Sequence, residues 1–233
     1  MKILALETST EYCSVALWRD GTVIEHCELV GQKHSEVLIE MVDGLLRENG
    51  EKLKQLDGIA FGMGPGSFTG VRIACGATQG LALGANLPVV GVSTLQAVAE
   101  ATGNRKVVAA LDARMNELYL AAYELHEEAW LTAIEPCLCK PDEAPMLEGD
   151  RWFAAGSGFA VQGEVLGQRY AGRLLDVDGT VVPRAASIAR IASARFARGL
   201  GEDAAMALPI YLRDKVALKT HERELQKTLQ AKP

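Results

Sequence analysis

The chain has 233 residues, 48% of them hydrophobic and 23% charged, with a formal net charge of -6. That composition suits a globular protein with one large core or two coupled lobes, and the acidic balance argues against a chain that grips phosphate backbones unaided. No stretch approaches the ~20 apolar residues of a membrane span, the run Ile3–Leu6 is too short for a signal peptide, and five cysteines, an odd number, fit reduced thiols in a cytoplasmic protein.

The chain opens as an antiparallel meander. Ile3–Leu6 reads as a buried strand ending at Glu7, Cys13–Leu17 alternates as a second, and Asp20-Gly21 is a hairpin signal before a third strand, Val23–Leu29. His34 to Asn49 has the helical period, with Val37, Leu38, Met41, Val42, Leu45 and Leu46 on one broad stripe and Asn49-Gly50 as a stop. Gly58–Phe61 is a short strand. A glycine-rich loop, Gly62 to Thr69, leads into a helix over Gly70–Ala85. Val89–Val92 is another strand, and Ser93 with Gln96 has the spacing of a capping box for a helix to about Ala101.

The pattern then restarts. Lys106–Leu111 is an apolar run ended by Asp112, followed by the polar turn Arg114-Met115-Asn116 and a second run, Leu118 to Tyr123. A buried strand that ends in a carboxylate, turns and pairs with its successor thus occurs twice, about a hundred positions apart. The spacing predicts two lobes of related design, residues 1–102 and 103–213, meeting near Thr102-Gly103-Asn104. Trp152–Ala155 reads as a strand and Ala186 to Arg198 as a helix. The tail, 214–233, is charged, loses its apolar period and is expected to be mobile or docked on a partner.

Several features could carry chemistry. The loop Gly62-Met63-Gly64-Pro65-Gly66-Ser67-Phe68-Thr69-Gly70 runs from a strand to a helix N-terminus, where free N–H groups attract anions. It has no Lys in the P-loop position, and Ser67 stands where a dinucleotide fingerprint needs its third glycine. The loop is either an anion cradle or a tight turn before a buried helix. Arg72 lies in the first helical turn, where the dipole disfavours a cation unless an anion is close. Glu7 and Asp112 either hold a hydrated magnesium ion or cap turn amides. Gly76, Gly80 and Gly84 recur every four residues at a cost of ~1 kcal/mol each against alanine. Another backbone is expected beside them, from the chain's own sheet or from a partner subunit. No two histidines among His26, His34, His126 and His221 stand at helical metal-site spacing, and Cys137 and Cys139 have no histidine nearby, so no metal site is predicted.

The segments Ile3–Thr10, Gly64–Ile73, Gly80–Ala82, Gly91–Leu95, Leu111–Arg114 and Pro209–Arg213 together resemble the TsaB family, formerly called YeaZ. The resemblance implies an α/β fold of the actin-like ATPase type (ASKHA, ribonuclease H-like) with two duplicated lobes. It implies a non-catalytic scaffold in the complex that forms N6-threonylcarbamoyladenosine at position 37 of tRNA, with no catalytic residue of its own. The catalytic relative, TsaD, carries two metal-binding histidines where this chain has Thr94 and Val98. The implied partners are TsaD in a heterodimer, the ATPase TsaE, and a second copy when the chain is alone. TsaC supplies the threonylcarbamoyl-adenylate, and tRNA is met only through the complex.

On the resemblance, the helices His34–Asn49 and Gly70–Ala85 pair with TsaD, so the expected interface residues are His34, Leu38, Met41, Val42, Leu45, Val71, Gly76, Gly80 and Gly84. No cofactor of its own is expected. ATP or ADP at the interface with TsaD would meet Glu7, Gly64, Gly66, Ser67, Thr69 and Arg72. The rival expectation is an active ATPase or phosphotransferase of this fold that uses Glu7, Asp112 and the Gly64–Thr69 loop. A metallopeptidase, the third, lacks a histidine pair to hold its metal.

Overall fold

The computed structural model describes residues 1–213. Strands β1 (Lys2–Glu7), β2 (Tyr12–Arg19) and β3 (Thr22–Leu29) form the expected antiparallel meander. On its other side β1 takes β4 (Gly58–Gly64), and β4 takes β5 (Val89–Ser93), both in parallel, giving the order β3-β2-β1-β4-β5. The second sheet repeats the plan. β6 (Lys106–Asp112), β7 (Leu118–His126) and β8 (Ala129–Cys139) form a meander. β9 (Trp152–Ala155) and β10 (Leu174–Asp178) add in parallel, giving β10-β9-β6-β7-β8. Each strand of the first sheet has a counterpart of the same rank and direction in the second. The two duplicated lobes of an actin-like α/β fold are therefore present.

Five helices cover the sheets. They are α1 (His34–Glu48), α2 (Phe68–Ala85), α3 (Thr94–Ala101), α4 (Ser157–Arg169) and α5 (Ala185–Ala197). The first sheet is buried on both faces, which explains why β1 reads as a continuous apolar run. Leu4, Leu6, Val15 and Leu17 face α1 and α2, in a core with Leu38, Met41, Leu45, Val71 and Ala74. Ile3, Ala5, Ala16 and Ala60 face the other way and meet α5. Those alanines let the small-residue stripe Ala185, Ala189 and Ala192 close onto the strands, and Ile188 and Ile191 fill the rest. Burying each such isoleucine is worth about 1.5–3 kcal/mol. The second sheet packs α4 on one face and α3 on the other.

Two expectations need correction. The division at 102/103 puts everything from 103 to 213 in one lobe, but α5 returns to the first sheet, because the bare face of β1, β2 and β4 is the surface its apolar stripe fits. Ala207 joins the first lobe's core as well. The Ser93–Gln96 capping box does not form. The Ser93 hydroxyl lies 3.3 Å from the Tyr123 hydroxyl, and Gln96 accepts a 2.8 Å bond from the Arg195 guanidinium. Both side chains are drawn away by partners from outside the helix.

Candidate functional site

A cleft of about 950 Å³ opens between the lobes. Its walls are built from turns that end strands. The turn after β1 supplies Ser9 to Glu11, the loop after β4 supplies Pro65 to Val71, and the turn after β6 supplies Asp112 to Arg114. Gly31, Gln32 and His34 at the start of α1, Tyr119, Ser157 and residues Ile210 to Arg213 also line it. Carboxyl ends of strands at the junction of two sheets are where α/β proteins bind ligands.

The two strand-ending acids behave differently. Glu7 follows Ile3 and Ala5 on the α5-facing side of β1 and is only 1% exposed. One carboxylate oxygen accepts the Ser9 amide. The other has no hydrogen-bond partner among the described residues. It lies where a side chain on Gly62 would sit, since a Cβ there would be 1.9 Å from it and 3.3 Å from Ile188. Glu7 is thus absent from the cleft wall. Burial raises its pKa above the ordinary carboxylate value, against the opposing pull of the Ser9 and Thr8 hydrogen bonds.

Asp112 does line the cleft. Its oxygens accept the Arg114 amide at 2.9 Å and pair with the Arg114 guanidinium at 3.0 Å. Its own N–H donates to the Ser157 hydroxyl at 3.1 Å. That is the turn-capping role of a strand-end acid. The pair Glu7 and Asp112 does not converge on one reacting centre.

The buried acid makes a measurable prediction. A carboxyl whose folded pKa is raised keeps its proton while the unfolded chain loses it, so stability falls as pH rises above the unfolded value, until the folded group also ionises. The wild-type chain is expected to lose stability from about pH 4.5 upward relative to Glu7→Gln. Urea unfolding of both at a series of pH values would show a gap that widens with pH. A gap independent of pH would mean that Glu7 has the same pKa in the folded and unfolded chain.

The glycine-rich loop is tied down by local bonds. The Ser67 hydroxyl caps α2 by accepting the Gly70 amide at 3.4 Å, and the Ser67 amide donates to the Ser9 carbonyl at 2.8 Å. Gly66, Ser67 and Thr69 face the cleft, whereas Gly64 and Arg72 do not line it. The Arg72 guanidinium stacks 3.1 Å over the Phe68 ring and 4.8 Å from the Tyr211 ring. Two π faces take the place of the anion expected beside this first-turn cation; at an exposed site each is worth about 0.5–1 kcal/mol.

The expected interface residues divide sharply. Leu38, Met41, Val42 and Leu45 are buried in the chain's own fold and present no side chain outward, and His34 and Val71 are also buried, at most reaching the edge of the cleft. His34 hydrogen-bonds the Tyr12 carbonyl at 3.1 Å, and the other five fill the core beneath the first sheet. The broad stripe of α1 is accounted for by β2 and α2. Gly76, Gly80 and Gly84 are the reverse case. They are exposed, and a Cβ on any of them would meet nothing within 4 Å. The chain's own sheet is therefore not the close neighbour their spacing predicts. Beside them Leu83 is 78% exposed and, on α1, Ile39 is 51% exposed.

Thr94 and Val98 are fully buried on α3 between the sheets. Among the described residues no cluster of three or more His, Cys, Asp or Glu could hold a metal ion, and no helix is long and apolar enough to cross a membrane. Phe68, Tyr211 and Arg213 also line the cleft and are not among the site residues expected from the sequence. The exposed aromatic next to Ser67 is a legible signal; Tyr211 and Arg213 reach the cleft only through the return of the chain.

Comparison with known proteins gives one consistent result. Residues 26–221 match the family model described as TsaD: tRNA N6-adenosine threonylcarbamoyltransferase. The tRNA threonylcarbamoyladenosine biosynthesis protein TsaB of Escherichia coli is 41% identical over 228 residues, 94% of this chain and 97% of the relative. The protein of the same name from Haemophilus influenzae is 36% identical over 232 residues, covering 94% and 96%. The solved structure of YeaZ from Pseudomonas aeruginosa superposes with a TM-score of 0.81 at 39% identity, covering 91% of this chain and 99% of that one. With identity of this order over nearly the full length of its relatives and a superposing fold, the chain belongs to the TsaB family.

Proposed function

We propose that this chain serves tRNA threonylcarbamoyladenosine biosynthesis as a non-catalytic subunit that docks a TsaD protein along helix α2. The observation that carries the reading is the exposed face of α2. Gly76, Gly80 and Gly84 give up about 1 kcal/mol each in helix propensity without serving any internal contact. Small residues of this kind let a second helix approach to short distance. Leu83, on the same helix, supplies exposed apolar area next to Gly84.

The state of the acids supports a scaffold over a phosphotransferase. A magnesium-dependent site built on both acids needs them to face the cleft together, but Glu7 is enclosed among Gly62, Ile188 and Ser9, and Asp112, which does face the cleft, is paired with Arg114. Nucleotide at the shared interface, with Gly66, Ser67 and Thr69 on the near wall, is part of the same proposal, as are TsaE as a further partner and pairing of two copies in the absence of TsaD.

The test is binding of purified TsaD to the wild-type chain and to Gly80→Leu, by calorimetry. Leucine on this open face leaves the fold intact and fills the groove, so the expected loss is at least about tenfold in affinity, the scale of 1.4 kcal/mol. Wild-type affinity in the folded variant would remove α2 from the interface.

A further inference from the structure

The last described residues form a tie between the lobes. After Ala207, which is buried in the core of the first lobe, the chain turns along β4, where the Ile210 amide donates to the Met63 carbonyl at 2.7 Å. The Ile210 carbonyl would stand 3.0 Å from a Cβ on Gly64, so the segment lies close on the glycine-rich loop. Tyr211 then stacks on Phe68 with ring centroids 5.8 Å apart. Arg213 finally reaches the second lobe at the turn after β6. It donates to the Ala113 carbonyl at 3.1 Å, lies 3.1 Å from the Met115 sulfur and pairs with Glu117 at 2.6 Å.

The other joints between the lobes are of a different kind. α3 is buried between the sheets, Trp130 bonds Glu100 at 2.7 Å, and the Ser93 hydroxyl lies 3.3 Å from the Tyr123 hydroxyl. Those joints are core. The segment 208–213 lies on the surface, with Leu208, Ile210 and Tyr211 each more than a third exposed. It also forms one wall of the cleft. A wall held, among the described residues, by a backbone bond at Ile210, the contacts of the Tyr211 ring with Phe68 and Arg72, and Arg213 belongs to the less stable part of a fold, the part from which moving elements are drawn.

We propose that residues 208–213 are a releasable strap across the cleft, fastened to the second lobe by Arg213 and hinged on the first lobe at Ile210. With the strap fastened, the glycine-rich loop and the β6–β7 turn are held at a fixed separation. Release of Arg213 lets the two walls move relative to one another about the buried joint at α3.

The test uses the full chain with Arg213→Ala, and Glu117→Gln as the milder variant that keeps the contacts to Ala113 and Met115. Amide exchange is expected to quicken by about tenfold or more at Ile210, Ala113 and Glu117 in Arg213→Ala, and less in Glu117→Gln, while amides of β1, β4 and β6 keep their protection. Solution scattering of Arg213→Ala is expected to give a larger radius of gyration. Unchanged exchange at those three amides would overturn the strap. So would acceleration spread evenly over the core strands, which would make Arg213 a plain stability element. Local acceleration at unchanged scattering would overturn the opening of the cleft.

Discussion

Replacing Gly76, Gly80 and Gly84 together by alanine is expected to stabilise the isolated chain by about 2 kcal/mol, since each removes close to 1 kcal/mol of helix penalty, less near the helix end. In a folded protein Gly→Ala often fails for want of space or because φ is positive. Neither obstacle exists here. A Cβ at each position meets nothing within 4 Å, and none of the three has a left-handed φ. The added methyl groups would face open space and share no partner, so their effects should add to within a few tenths of a kcal/mol. Urea unfolding of wild type and triple variant would measure the gain. A loss of stability would mean that the glycines serve the fold after all. The same variant is expected to bind TsaD more weakly, because three methyl groups hold a partner helix away from the α2 backbone. Stability rising while association falls is the signature of residues kept for a partner.

Much of the architecture was legible because the two sheets bury both faces. Ile3–Leu6 and Lys106–Leu111 are continuous apolar runs, and each meets its second strand after a short polar turn. The repeat follows from that parity. Elements on the rim of the second lobe were not legible. β8 carries Pro136 and is mostly exposed or half-exposed along its length. β10 is a short edge strand with Leu175, Asp176 and Val177 exposed and a register shift within it. α4 holds Gly158, Gly163 and Gly167. Only Gly158 has a contact reason for lacking a side chain, a Cβ there falling 2.8 Å from Ala110. Sequence periodicity reports burial, and these elements are little buried.

The site was legible by position and misjudged by side. The apolar stripe of α1 and the glycine stripe of α2 both read as surfaces in want of a neighbour. One neighbour is the chain's own β2, which takes up Leu38, Met41, Val42 and Leu45. Only the glycines remain uncovered. Periodicity identifies an apolar face but says nothing of what covers it. Glu7 is a parallel case. Its place at a strand end marks it as a reactive acid, but residues 3, 5 and 7 share one side of β1, and that side belongs to α5. Arg184 bonds Glu25 at 2.8 Å and the Ala185 amide bonds the Ser14 hydroxyl at 2.9 Å. These contacts span more than a hundred and fifty residues, a range that no local pattern carries.

Gly70→Ala, in the same helix as the glycine stripe, is expected to have the opposite effect from the triple variant and to cost about 3 kcal/mol or more. A Cβ at Gly70 would stand 1.9 Å from the Thr8 carbonyl oxygen and 3.0 Å from its carbon. These are backbone atoms at the end of β1, with no rotamer to escape into. Relief requires α2 to slide away from the β1–β2 turn. That movement strains the buried bond from the Thr8 hydroxyl to the Gly70 carbonyl, 2.7 Å long, and the one from the Ser67 amide to the Ser9 carbonyl. Each buried group left without its partner adds about 1–3 kcal/mol. In a chain of this size the total should lower the melting temperature by roughly 6–12 °C, read by thermal unfolding beside Gly76→Ala as a control on the same helix. Gly66 is packed the same way, its Cβ position lying 2.6 Å from the Ser9 Cβ and 2.8 Å from its carbonyl oxygen. Two of the loop's glycines, Gly66 and Gly70, are therefore taken up by contact with Ser9 and Thr8, while Ser67 and Thr69 stay open to the cleft. A melting temperature within about 2 °C of wild type for Gly70→Ala, less than the shift that 1 kcal/mol produces, would show that the turn yields and that the loop is free to receive a ligand.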